Sequence, residues 1–199
     1  MSILRGVCQT RLFARSGKGP VSENSTFAKS AVHIRPESSE PRDQSRIHSL
    51  LEAAFGRPDE ANLVDDLRTE SVVLLSYVAE RAADIVGHIF FTRMWIDTAG
   101  GPIPAAALAP VAVLPEFQRR GIGAELISRG LDRLRRENER IVIVLGEPAY
   151  YGRFGFTAEK ARHLESPFPP DAFMALELSP AALAGVRGRV RYPAAFRLD

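Results

Sequence analysis

The segment from Val111 to Gly123, Val-Ala-Val-Leu-Pro-Glu-Phe-Gln-Arg-Arg-Gly-Ile-Gly, constrains this chain more than any other. A short β-branched run ends at Pro115, and a long amphipathic stretch, Ala124 to Asn138, follows the glycines. The turn therefore joins a strand to the N-terminus of a helix. Such a junction gathers unpaired backbone N–H groups and the positive end of a helix dipole, and here it adds two arginines. The spacing predicts a binding site for a polyphosphate. Gly121 and Gly123 belong to it because a side chain at either position would hold phosphates off the backbone.

The rest of the composition sets bounds. At 199 residues the chain fits one domain with a proper core. Hydrophobic and charged contents of 45% and 25% are those of a soluble globular protein, and a net charge of +2 gives no reason to invoke nucleic acid. Cys8 is the only cysteine, so neither a disulfide framework nor a Cys/His metal cluster is expected. No apolar run reaches the roughly 18 residues of a membrane span, so no membrane partner is expected. Residues 1–30 carry Arg5, Arg11, Arg15, Lys18 and Lys29 against Glu23 alone. They read as a flexible basic tail, with an upstream misassigned start or a mitochondrial presequence as alternatives. The expected location is cytoplasmic, with mitochondrial import the alternative.

Periodicity places the elements. Val32 to Arg35 alternates and stops at Pro36, a first strand. Asp43 is positioned to cap a helix burying Ile47, Leu50, Leu51, Ala54 and Phe55, closed by Gly56. A second helix follows Pro58. Ser71–Ala79 and Ile85–Met94 read as a hairpin. Gly100-Gly101-Pro102 reads as a loop before a strand Ile103–Val113, interrupted by Pro110. A helix spans about Arg120 to Asn138, and Ile141–Leu145 is a strand covered on both faces. A short helix at Pro148–Arg153, a strand entered at Phe154-Gly155-Phe156 and a last strand Phe173–Leu178 complete the order βααβββαβαββ, a mixed α/β (α+β) sheet. Residues 31–180 form the domain, and 181–199 a C-terminal extension packed on it or following it.

The two commonest phosphate-binding motifs do not fit. A dinucleotide fingerprint needs a third glycine where Leu126 stands, and a P-loop needs Gly-Lys-Ser/Thr after the glycines. Gln118-Arg119-Arg120-Gly121-Ile122-Gly123 instead resembles the [QR]-x-x-G-x-[GA] signature of the GNAT (Gcn5-related) N-acetyltransferases. Tyr150-Tyr151-Gly152-Arg153-Phe154-Gly155-Phe156 resembles that superfamily's Y-x-[KR]-x-G-F segment. The likeness covers about Val32 to Leu178. Leu108–Val113, Leu145–Phe156 and Tyr192-Pro193-Ala194-Ala195-Phe196 look most like its YhbS-type branch.

The resemblance implies a GNAT fold with splayed central strands, acetyl-coenzyme A as cosubstrate and no metal. The pyrophosphate is expected on the N–H groups of Arg120, Gly121, Ile122, Gly123 and Ala124, with Gln118 and Arg119 in the same turn. Val111, Ala112 and Val113 are expected to offer backbone groups to the pantetheine arm and thioester. Tyr151 is favoured as the acid that protonates the departing thiolate, with Tyr150 in its place if the short helix is rotated. Glu147 is placed either as the base that deprotonates the amine, directly or through water, or as a carboxylate stabilising the start of that helix, and the resemblance also allows a water chain with no side-chain base. Phe154 and Phe156 are expected to pack beneath the cofactor.

The acceptor is expected to be a primary amine, on a small molecule or a protein, taken up by direct transfer in a ternary complex. The two early helices and Thr157–Pro170 would wall its site. A homodimer is compatible with the sequence. The alternative from another class is a non-catalytic acyl-coenzyme A sensor of the same fold. His88 is expected on a solvated strand face, and His33, His48 and His163 lack metal-ligand spacing.

Overall fold

The computed structural model describes residues 31–198. The basic tail and Cys8 lie outside the described residues. Eight strands and five α-helices follow in the order β1 (His33–Pro36), α1 (Pro41–Phe55), α2 (Asp59–Thr69), β2 (Val73–Arg81), β3 (Asp84–Thr98), β4 (Gly101–Val113), α3 (Ile122–Arg136), β5 (Ile141–Leu145), α4 (Pro148–Tyr151), α5 (Ala158–Ala161), β6 (Leu164–Glu165), β7 (Phe173–Glu177) and β8 (Gly188–Arg191). The main sheet runs β1-β2-β3-β4-β5-β7, antiparallel except where β4 meets β5.

Helix α3 covers one face of the sheet. Its Ile122, Leu126, Ile127, Leu131 and Leu134 are buried with Val86, Ile89 and Phe91 of β3, each side chain contributing about 1.5–3 kcal/mol on transfer from water. The opposite face is divided. Helices α1 and α2 pack over Val78, Phe90, Ala109 and Ala112, while α5, β6 and β8 pack over Ala105, Ala107, Ile143 and Phe173. β5 is buried along its whole length, as its unbroken apolar run predicts.

Four expectations are corrected. Helix α1 starts at Pro41 rather than after Asp43, because proline suits a first helical turn. Asp43 instead reaches back to the Ser38 N–H at 3.0 Å and to Arg35. Gly101 and Pro102 belong to β4, paired with Thr98 and Asp97, so only a tight turn separates it from β3. No strand is entered at Phe154: Gly152–Phe154 is a 3-10 turn, Gly155 has φ +89°, and one bridge, Thr157 to Ala175, precedes α5. Outside these corrections, the C-terminal residues supply β8, which takes the edge of β3 at Trp95–Asp97, beyond the last β2 pairing at Thr92.

His88 is the fourth. It is fully buried, because α1 and α2 cover the face of β3 on which it lies. The Ser76 hydroxyl donates to the Glu37 carboxylate, so the imidazole donates from Nε2 to Ser76 Oγ, 2.9 Å away. Its Nδ1 is a bare acceptor without a hydrogen-bond partner. Burial, and then the charge of Arg68, push its pKa down from 6.5 to about 3. The unfolded chain therefore binds a proton that the folded one refuses between those values, and stability falls as pH drops through that window. Between pH 7 and pH 5, His88 is expected to cost the fold about 2 kcal/mol. Urea unfolding at the two pH values checks this. His88→Leu should flatten the difference by that amount, and an unchanged difference would show that His88 protonates in the native state.

Candidate active site

The strand pairing makes a cleft. On β3, Ile89 and Phe91 are two residues apart, but their partners Val111 and Leu108 on β4 are three apart. The extra residue is a bulge at Ala109-Pro110, where proline has no N–H for a ladder. The Ala109–Pro110 bond is cis. β5 pairs with β4 only at Ala106, Ala107 and Leu108, so the two strands part at the bulge. Val111, Ala112 and Val113 stay paired to β3, and the peptide groups they turn toward β5 are not taken by it.

Helix α3 starts at the mouth of this gap. Gly121 is its N-cap with φ +86°, a left-handed conformation that suits glycine, and no side chain caps the end. The helical ladder opens with the Glu125 N–H donating to the Gly121 carbonyl at 2.9 Å, which leaves the N–H groups of Ile122, Gly123 and Ala124 ahead of it. Gln118 donates from Nε2 to the Val113 carbonyl at 2.9 Å and so ties the turn to the end of β4.

One open cleft collects these groups. Val111, Ala112, Val113, Gln118, Arg119, Gly121, Ile122, Gly123 and Ala124 line it, joined by Phe117, Tyr150 and Arg153. Arg120 points elsewhere, with its guanidinium 5.6 Å from the Phe117 ring centre. Arg81, Arg119, Arg120 and Arg153 make no ion pair among the described residues, whereas Arg35, Arg46, Arg68 and Arg93 are all paired. Of these, Arg119 and Arg153 bring uncompensated positive charge to the cleft lining.

The two tyrosines part company. Helix α4 is turned so that Tyr150 enters the cleft lining, with its hydroxyl 2.9 Å from where a side-chain carbon on Gly123 would stand. Burial holds its phenol above the ordinary 10, partly offset by Arg153, whose guanidinium lies 4.5 Å from the ring centre. Tyr151 is 3% exposed, with its ring against Gly146 and edge-on to Tyr150 and Phe156 at 5.1 and 6.0 Å. It is not in the cleft lining. Phe156 is buried and Phe154 half-buried in the same cluster. Glu147 is exposed at the N-cap of α4, makes no side-chain cap bond and lies outside the lining.

Sequence reasoning missed Phe117 and Arg153 as lining residues. It also missed that the C-terminal Ala195 and Phe196 pack with α1 and α2 over Ala109 and Ala112, behind the bulge. For Arg153 a signal was present, since it stands inside the Tyr-x-Arg-x-Gly-Phe segment.

A strand bulge facing a glycine-capped helix N-terminus defines the fold class, and the comparisons agree. The model of the acetyltransferase (GNAT) domain matches residues 35–158, and the chain belongs to that family. Among its relatives is the uncharacterized N-acetyltransferase YhbS of Escherichia coli K12, 34% identical over 155 residues that span 76% of this chain and 92% of that protein. The crystal structure of E. coli YhbS in complex with CoA superposes with a TM-score of 0.77 at 32% identity, over 87% of this chain and 96% of that one. A GNAT acetyltransferase from Brucella melitensis in complex with acetyl-CoA superposes with a TM-score of 0.70 at 36% identity, over 83% and 98%.

Proposed function

We propose that the protein transfers an acetyl group from acetyl-coenzyme A to a primary amine, with both substrates bound together. The observation that carries this is the single cleft joining a bulged strand edge, an uncapped helix N-terminus and a phenol. The N–H groups of Ile122, Gly123 and Ala124 receive the pyrophosphate, and Arg119 adds charge. The free peptide edge of Val111–Val113 takes the pantetheine amides and orients the thioester carbonyl. The amine nitrogen attacks that carbonyl, the C–N bond forms, and the C–S bond breaks as the tetrahedral adduct collapses. The departing thiolate takes its proton from the Tyr150 hydroxyl, which the raised pKa keeps protonated at neutral pH, and the proton that the adduct nitrogen sheds as the amide forms restores the phenol through water. Tyr151 acts as the packed support behind it.

The ammonium must lose a proton before attack. No carboxylate lines the cleft among the described residues. Glu147 is therefore assigned this step through water rather than by direct contact. The acceptor enters from the face carrying α1, α2 and the segment Thr157–Pro170, opposite α3. The proton donor in the cleft favours an enzyme over an acyl-coenzyme A sensor, because binding alone has no use for it.

The test is a screen of primary amines, including lysine peptides and peptide N-termini, for amine-dependent thiol release from acetyl-coenzyme A. Thiol release that needs the amine supports the transferase. Tight cofactor binding without release for any amine would favour the sensor.

A further inference from the structure

We propose that Tyr192 is a positioning residue for the acyl donor: from the face opposite α3, it holds the parted ends of β4 and β5 at a fixed separation. The inference rests on the acyl-coenzyme A reading of the cleft and deepens it. β4 and β5 are paired only from Ala106–Val142 to Leu108–Val144. Beyond that point β4 stays with β3, and β5 stays with β7 through Val144–Met174 and Leu145–Phe173. Two parts of the sheet therefore diverge from a short joint, and side-chain packing has to fix the gap between them.

On one face the packing under α3 is continuous, since Val111 and Val144 share its cluster. On the other it is divided. Ala109 and Ala112 of β4 belong to one cluster, and Leu145 of β5 with Phe173 of β7 to another. Tyr192 packs against both. A row of rings carries the contact across. Phe173, opposite Leu145 at the end of β5, has its ring centre 6.5 Å from that of Phe168. Phe168 lies 5.8 Å from Tyr192, and Tyr192 lies 4.8 Å from Phe196. Phe196 is buried in the cluster of Ala109 and Ala112. The row thus runs from the β5 lip to the β4 bulge, with Tyr192 in its middle.

The chain anchors Tyr192 on both sides. The preceding residue, Arg191, ends β8 and pairs with Trp95 on the edge of β3. Pro193 follows as the cap of the 3-10 turn Ala194–Phe196, and Arg197 then reaches Asp66 of α2 at 3.0 Å. Burial holds the Tyr192 phenol above its ordinary 10, so it stays uncharged and acts by packing rather than by proton transfer. Aromatic rings are rigid and meet at preferred separations, so a row of them spans a gap at a nearly fixed length. That length matters to a thioester held between the strands, where a misplacement of about 1 Å can cost about a hundredfold in rate.

The experiment is calorimetric titration of the full chain with acetyl-coenzyme A for the wild type, Tyr192→Phe, Tyr192→Leu and Phe168→Leu, each checked by a melting curve. Tyr192→Phe keeps the ring and should match the wild-type Kd within about twofold. Tyr192→Leu breaks the row and should raise Kd about tenfold at unchanged stoichiometry. Phe168→Leu, at a half-buried ring, should raise Kd by about threefold or more, and it decides the matter if Tyr192→Leu does not fold. A merely structural role would lower the stoichiometry and leave Kd alone. That result, or a wild-type Kd in the folded leucine variants, would overturn the positioning role while leaving the cleft assignment intact. Absence of binding by the wild type would overturn the cleft assignment and this proposal with it.

Discussion

Replacing Tyr150 by phenylalanine is expected to lower kcat by at least tenfold, and by up to about a thousandfold, with acetyl-coenzyme A affinity changed less than twofold. The substitution removes one oxygen and keeps the ring that packs beside Tyr151 and Phe154 and under the Arg153 guanidinium. Cofactor contacts to the α3 N-terminus and to β4 are untouched, so binding is spared. The lost proton must then come from water, which makes thiolate departure the slow step. A cofactor with a better leaving thiol should recover part of the rate. Tyr151→Phe, by contrast, should leave kcat within about threefold, since its ring is enclosed by Gly146 and Phe156. Steady-state thiol release for the two variants checks both statements. Loss of turnover in Tyr151→Phe with retention in Tyr150→Phe would reverse the assignment.

That assignment also shows where sequence reasoning stops. A Tyr-Tyr pair names two candidates one helical step, about 100°, apart, and the choice depends on the rotation of α4. The rotation is set by packing of Tyr151 against Gly146 and Phe156, contacts that no local spacing encodes. The glycine turn was legible because its chemistry is local: a strand, a left-handed cap and a helix start lie consecutively in the chain. The bulge was half legible, since Pro110 signals broken pairing, but its use as the end of the β4–β5 contact needs the register of both strands. His88 misled because its strand neighbours give no hint of α1 and α2 above it. β8 was hidden for a similar reason. Its four residues matter only because β3 runs beyond the end of β2 pairing and leaves an edge to fill.

Replacing Gly121 by glutamate is expected to weaken acetyl-coenzyme A binding by at least a hundredfold. Three effects act together. The cap residue has φ +86°, which a side chain tolerates only with strain of about 1–2 kcal/mol. The new side chain would stand at the mouth of the cleft that Gly121 lines. Its carboxylate would place a negative charge where the pyrophosphate binds, reversing the field of the helix N-terminus and Arg119. Gly121→Ala separates the first effect from the others. A carbon added there meets nothing within 4 Å, so the alanine variant should fold and lose about tenfold or less in affinity. Melting curves of both variants confirm that the comparison is made on folded protein.

The most direct test of the account is calorimetric titration of the unmodified chain with acetyl-coenzyme A, with NAD as the control polyphosphate. One-site binding at micromolar affinity, with NAD silent, is the predicted result. Absence of binding, or equal binding of NAD, would mean that the Gln118–Gly123 turn is only a tight strand-to-helix connection, and the assignment of the cleft would fail.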